Sequence, residues 1–203
     1  LWFNADAAIN GGTIYVGNGD SNTAKLYIND SNGGTTVSNT INIPANSTNS
    51  VIGGLNSSNV NTFSGNVELN SYVLLENVSA GGTTNFSGVI SGSYNVNING
   101  AGIVKFSNAN TYSGITTINT GVLELTNDQA SSEIIVKSGA KLTINGLDVD
   151  INDLTIEEGG TVEVLSDKQL TINGTFSNAG NLTVNSGGTV ITNTISTVEG
   201  STT

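Results

Sequence analysis

Histidine, cysteine, methionine and arginine are all missing from this 203-residue chain, and proline occurs once. Each absence removes chemistry. Without histidine and cysteine, the Ser-His-Asp triad, the Cys-His dyad and the usual zinc sites have no parts to be built from, and no disulfide framework staples a small domain. Without arginine, no planar guanidinium clamps a phosphate or carboxylate. Positive charge is scarce as well. Five lysines (Lys25, Lys105, Lys137, Lys141 and Lys168) stand against sixteen carboxylates, a net charge of -11. Such a balance argues against nucleic acid and anionic membrane as partners. No apolar run approaches the roughly 18 residues of a membrane span. The sequence opens at Leu1 with no charged leader and no initiator methionine, which reads as a mature or excised segment.

What is present is asparagine, threonine, glycine and serine around a 36% share of hydrophobic residues. Polar, weakly charged mixtures often stay disordered, but here the apolar residues gather in short β-branched runs: Thr13-Ile14-Tyr15-Val16, Thr40-Ile41-Asn42-Ile43, Leu142-Thr143-Ile144. Gly-Gly, Asn-Gly and Ser-Gly pairs separate the runs as turn punctuation. Alternation is strict in Val122-Leu123-Glu124-Leu125 and Val162-Glu163-Val164, and no apolar set keeps a helical period. The expectation is an all-β chain of short strands.

The runs also repeat. Leu142-Thr143-Ile144-Asn145-Gly146 returns unchanged as Leu170-Thr171-Ile172-Asn173-Gly174. Leu154-Thr155 returns as Leu182-Thr183, and Gly159-Gly160-Thr161-Val162 as Gly187-Gly188-Thr189-Val190, all at the one offset that separates Leu142 from Leu170. Strand starts at 142, 154, 162, 170, 182 and 190 predict three short strands per 28-residue coil of a parallel β-helix, with Leu170 stacked on Leu142. A lone coil cannot offset the entropy of its own ordering; stacking seals the core. An antiparallel sandwich is the competing architecture, because Asn-Gly at 10, 32, 99, 145 and 173 is a strong hairpin signal. Two of those pairs, at Asn145 and Asn173, share one phase of the repeat, which favours the solenoid.

A second motif lies upstream: Thr62-Phe63-Ser64-Gly65, Asn85-Phe86-Ser87-Gly88 and Thr111-Tyr112-Ser113-Gly114. Its fullest copy runs from Gly102-Ile103-Val104-Lys105-Phe106-Ser107-Asn108-Ala109-Asn110 through Thr111-Tyr112-Ser113-Gly114 to Ile115-Thr116-Thr117-Ile118-Asn119-Thr120-Gly121-Val122-Leu123-Glu124-Leu125. This stretch closely resembles the autotransporter-associated β-strand repeat, departing from it at Ile103, Ser113 and Ile115. The resemblance covers residues 100–125 closely, with weaker echoes over 62–108. It implies a right-handed β-helical passenger of a Gram-negative surface protein, extracellular and tethered through a C-terminal β-barrel outside this sequence. The Asn-, Thr- and Ile-rich texture resembles that of rickettsial surface-antigen autotransporters. The absence of cysteine suits export by that route.

Several single features have plainer explanations than chemistry. Gly19-Asp20-Ser21-Asn22 has the form of a hydrolase Gly-Asp-Ser, but no histidine activates Ser21 and Lys25 is a remote substitute, so it reads as a turn. Asp148, Asp150, Asp153, Glu157 and Glu158 crowd one corner with the oxygen chemistry of Ca²⁺, yet their spacing fits no calcium loop and they read as a solvated acidic edge. Phe63, Phe86 and Tyr112 read as an internal ladder rather than an exposed strip for sugars. Trp2-Phe3 reads either as an anchor or as the cut end of a coil whose neighbour has been removed. Polysaccharide-active β-helices need paired carboxylates across a cleft, or an arginine base, and neither pattern occurs.

The expected protein is therefore a single right-handed parallel β-helical segment, non-enzymatic, with no catalytic, cofactor or metal residues. Within it, 1–60 forms less regular coils with a protruding loop at 44–59 as the place for partner contacts, 61–127 holds the Phe/Tyr-Ser-Gly repeats, and 128–203 forms regular 28-residue coils. Expected partners are a host-cell surface protein or glycan, or the same protein on another cell; nucleic acid is excluded and the segment itself is not membrane-embedded.

Overall fold

A computed structural model describes residues 2–3, 12–18, 22–32 and 34–196. Parallel pairing joins every strand to its sheet neighbours, and the chain winds as a β-solenoid of about seven turns with three sheets. The antiparallel sandwich is thereby excluded.

The three faces differ in regularity. The straight face stacks Thr36–Val37, Val60–Phe63, Thr83–Phe86, Ile103–Phe106, Val122–Leu125, Lys141–Ile144, Thr161–Val164 and Asn181–Val184 in unbroken register. The long face runs from Trp2–Phe3 through Ala24–Ile28, Ser50–Gly54, Val73–Asn77, Val96–Gly100, Thr116–Ile118 and Glu133–Val136 to Asp153–Ile156. The short face holds Ile14–Tyr15, Ile41–Ile43, Val67–Leu69 and Ile90–Gly92. Beyond Gly92 it thins to one bridge, Asn110 to Gln129, and resumes where Val149–Ile151 pairs with Leu170–Ile172. There the strand Gln169–Asn178 bends round a corner, pairing Val149–Ile151 with its first half and Asp153–Ile156 with its second.

Period-two alternation puts one side of each strand inside. On the straight face the inward column Val37, Phe63, Phe86, Phe106, Leu125, Ile144 and Val164 is fully buried, and the intervening residues Thr62, Asn85, Lys105, Glu124 and Glu163 face out and are partly exposed. Phe63 and Phe86 stack with centroids 5.2 Å apart, and Phe106 meets Phe86 edge-on at 6.1 Å.

Two expectations need correction. Leu142 does not lie under Leu170: it pairs with Val162 on the straight face, while Leu170 pairs with Val149 and Val190 on another. One turn is shorter than the offset between Leu142 and Leu170. Along the column above, continued to Val184, the sequence offsets between successive rungs are 26, 23, 20, 19, 19, 20 and 20. The repeated segment is one turn, such as that from Ile144 to Val164, plus one further face, so identical residues occupy neighbouring faces one turn apart. The second correction concerns the protruding loop at 44–59. Ser50–Gly54 is a completely buried strand of the long face, and only short turns flank it, with Ala45, Asn46, Thr48, Asn49 and Ser57–Asn59 exposed. The Asn/Ser-rich composition there builds tight corners: Asn56 donates to Ser58 O and Asn59 O at 3.0 Å, and Asn59 donates to Ser31 O in the coil before at 2.6 Å.

A column of small residues sets the shorter period. Gly82, Gly102, Gly121, Ala140, Gly160 and Gly180 each precede a straight-face strand, where the corner presses on the coil before. A Cβ on Gly102 would stand 2.4 Å from Ser79 O, and one on Gly180 2.5 Å from Glu157 O.

Candidate interaction faces

The stretch most like a known repeat spans one turn and a further face, holding both the Ile103–Phe106 rung and the Val122–Leu125 rung that pairs with it, and its signature residues are internal fittings. Asn110 stands where the short face loses its strands. Its Oδ1 accepts the Ile90 N–H at 2.8 Å and its Nδ2 donates to Gln129 Oε1 at 2.9 Å; both side chains are buried. Gln129 donates onward to Asn127 O at 2.9 Å. Side-chain amides thus supplement the backbone bonds that continue through this corner, such as Thr111 N–H to Ile90 O and Gln129 N–H to Asp150 O, both at 2.9 Å. Further along the same corner, the buried Tyr112 hydroxyl shares a 2.6 Å hydrogen bond with Thr116 Oγ1. Burial pushes the Tyr112 hydroxyl up to about 12, against the opposing pull of the Thr116 hydrogen bond. Gly114 lets the corner lie on the preceding coil, since a Cβ there would meet Tyr94 O at 2.2 Å.

Tyr112 is therefore internal, as the ladder expectation required, but it is not a rung of the phenylalanine ladder. The third rung is Phe106. Tyr112-Ser113-Gly114 repeats the Phe-Ser-Gly tripeptide at a different corner of the coil.

The five carboxylates of the acidic corner are spread over separate partners. Asp148 accepts from Gln169 Nε2 at 2.7 Å and Asp153 from the Thr175 N–H at 2.6 Å. Glu157 pairs with Lys137, while Asp150 and Glu158 are exposed. Among the described residues no three acidic side chains converge into a metal-binding group. Gly19, Asp20 and Ser21 lie outside the described residues. Lys25 stands 5.8 Å from the Tyr27 ring centroid, and Trp2–Phe3 forms a rung paired with Tyr27 and Ile28.

Two outward features have no mark in the local sequence. On the long face, Tyr27 lies across Gly53 and donates its hydroxyl to Glu76 Oε1, two rungs away, at 2.5 Å. Burial, then the hydrogen bond and charge of Glu76, raise the Tyr27 hydroxyl far above the usual phenol range. On the straight face, Lys105 pairs with Glu124 at 2.8 Å and Lys141 with Glu163 at 2.6 Å. Asn145 and Asn185 donate to these two glutamates at 3.1 and 3.0 Å. The Lys141 hydrogen bond, then that of Asn185, hold the Glu163 carboxyl below its ordinary value. The four charges occupy four consecutive rungs and alternate in sign. A period near 20, marked by the small-residue column, is the signal that aligns them.

The family described as Passenger-associated-transport-repeat matches residues 99–125, the stretch just described. That repeat is typical of autotransporter passenger domains, and the chain carries it on a parallel β-solenoid. No curated protein and no solved structure matches the chain.

Proposed function

We propose that the chain is a segment of an exported autotransporter passenger, standing at the bacterial cell surface as a non-catalytic rod that serves as a stalk or adhesin. The observation that carries this is that the matched repeat contains two stacked rungs and the whole winding between them, its Asn110, Tyr112 and Gly114 all engaged in coil-to-coil or corner contacts. Such a rod is assembled from local contacts between successive turns, so each coil needs only its neighbours to be stable. Passenger repeat regions of this kind are usually non-catalytic. In keeping with that, Lys105, Lys137 and Lys141 are held by glutamates rather than aimed into a cleft, and general-base chemistry has no histidine to draw on.

The test is made on intact cells expressing the complete gene. Antibody raised against this segment should label unpermeabilised bacteria, and purified segment added in excess should reduce their attachment to host cells. Labelling only after permeabilisation overturns the surface role. Labelling without inhibition keeps the stalk and removes the adhesin.

A further inference from the structure

We infer that Asn173-Gly174 is a self-modification site, where the backbone nitrogen of Gly174 attacks the Asn173 side chain and converts it to aspartate and isoaspartate, while the fold protects the identical pair Asn145-Gly146. Both pairs end the same pentapeptide, Leu-Thr-Ile-Asn-Gly, so their chemistry is equal and only their settings differ. Asn145 follows the straight-face strand Lys141–Ile144. Its backbone N–H donates to Leu125 O at 2.8 Å and its side-chain amide to Glu124 Oε1 at 3.1 Å, and Gly146 after it is buried. Asn173 instead falls at the corner of Gln169–Asn178, in a gap of the ladders on both sides. Towards the preceding coil, Val149–Ile151 ends its pairing at Ile172 and Asp153–Ile156 takes over with Leu154 opposite Phe176. Towards the following coil, the register slips between Ile172 and Thr175. Asn173 is exposed, and among the described residues its side-chain amide has no hydrogen-bond partner. The other described Asn-Gly pair lies within a ladder: Asn99 pairs with Glu76, and its Oδ1 accepts from Asn119 Nδ2 at 3.0 Å.

The crowding that demands glycine at this corner also creates the reactive pair. A Cβ on Gly174 would collide with the Asp153 carboxylate, which accepts the Thr175 N–H at 2.6 Å. Glycine, lacking a side chain, leaves its own nitrogen open to the residue before it. Once hydroxide takes the proton of that nitrogen, the nitrogen bonds to Asn173 Cγ, the Cγ–Nδ2 bond breaks and ammonia leaves. Water then opens the five-membered ring. Opening at Cγ gives aspartate; opening at the Asn173 backbone carbonyl gives isoaspartate, whose main chain runs through Cγ. Hydroxide and water are the only co-reactants, and nothing is oxidised or reduced. The attack must first release the Gly174 N–H from Asn152 O, which it meets at 3.1 Å, a single hydrogen bond at an exposed corner. At Asn145 the bond to Glu124 must break as well, and Gly146 must leave a site so close to the preceding coil that a Cβ would stand 2.7 Å from Thr126 O. The product sets a second carboxylate near Asp153, a like-charge contact, and as isoaspartate adds a backbone carbon to a strand that already bulges there.

The two identical segments supply the test within one molecule. The full chain is kept folded at mildly alkaline pH, sampled over time, then unfolded and cleaved after lysine, which places Asn145 in the peptide 142–168 and Asn173 in the peptide 169–203. Fragmentation mass spectrometry locates the mass gain of an amide turned to an acid, and isoaspartyl methyltransferase labels the rearranged product. Asn173 should convert at least about tenfold faster than Asn145, a barrier difference of about 1.4 kcal/mol or more. In urea, with the fold gone, the two should convert at similar rates. Asn173→Gln should remove most of the methyl label from residues 169–203 and leave the circular dichroism unchanged. Asn145 keeping pace with Asn173 in the folded chain overturns the proposal, and so does a folded chain in which Asn173 stays intact while the unfolded chain converts. A bias that persists in urea assigns the difference to the following residues, Leu147 and Thr175, rather than to the fold, and overturns it equally. Surface display and attachment are unaffected by these outcomes.

Discussion

Phe86 lies with one side against Phe63, planes 18° apart, and the other against the edge of Phe106. Three turns of the rod are thus joined through one ring, and Phe86→Ala should cost about 3–5 kcal/mol. Urea unfolding followed by far-UV circular dichroism measures the loss. A cost under about 1 kcal/mol would mean the neighbouring coils close the cavity.

Asn110→Ala strands the Ile90 N–H and one end of the Gln129 amide inside the coil. Buried groups left unpaired cost about 1–3 kcal/mol each, so stability should fall by that order and the Ile90 amide should exchange faster with solvent. Thr111→Ala, one residue away and exposed, should stay within about 0.5 kcal/mol of the natural chain. Equal effects at the two positions would deny Asn110 its place in the ladder.

Alkali should unfold the rod through its tyrosines. The Tyr112 hydroxyl ionises near 10 in the unfolded chain and at about 12 in the folded one. Its contribution is complete below pH 10 and is lost as pH rises from 10 towards 12, at about 1.4 kcal/mol per pH unit. Tyr27, also raised, acts in the same direction. Tyr112→Phe should flatten the stability profile in that window, and an unchanged slope would refute the assignment.

At the acid end the sign reverses. Glu163 is lowered by Lys141 and Asn185, so its contribution is present above the ordinary carboxylate range and disappears as pH falls through its lowered value. The group is close to solvent, so the effect is small and screened by salt. Glu163→Gln should leave stability near neutrality slightly reduced and the acid limb shallower, which thermal melts between neutral and acid pH detect.

Gly53→Ala should damage the long face more than its modest size suggests. A Cβ there would stand 2.2 Å from Glu76 O, so the strand must shift and the hydrogen bond between Tyr27 and Glu76 is lost with it. Tyr27→Phe removes the hydrogen bond alone, at about 1 kcal/mol. Comparing the two variants by denaturant unfolding separates backbone crowding from the lost bond.

Strand type and parallel stacking are readable because β-branched runs and turn glycines act locally. The turn length is not, because the loudest signal, the identical Leu-Thr-Ile-Asn-Gly segments, reports similarity of environment rather than vertical alignment. All three faces have the same inside and outside, so one sentence of sequence fits any of them. The quieter column of Gly102, Gly121, Ala140, Gly160 and Gly180 marks true alignment, since crowding by the coil before forces small residues there, joined at Gly121 by a left-handed φ of 71°. Val149–Ile151 is hard to see as a strand because acidic neighbours mask its two buried residues. The tripeptide groups Tyr112 with Phe63 and Phe86, whereas spatial register selects Phe106. The charge ladder is invisible for the same reason: its members align only at the shorter period.

A copied block of one turn and a further face has a mechanical meaning. Inserting another such block would lengthen the rod and also rotate everything beyond the insertion by about a third of a revolution, carrying outward surfaces to a new azimuth. Insertion of a block of one turn alone would extend the rod while keeping those surfaces pointing the same way. Growth in the first manner re-aims what the rod presents, and growth in the second only moves it further out.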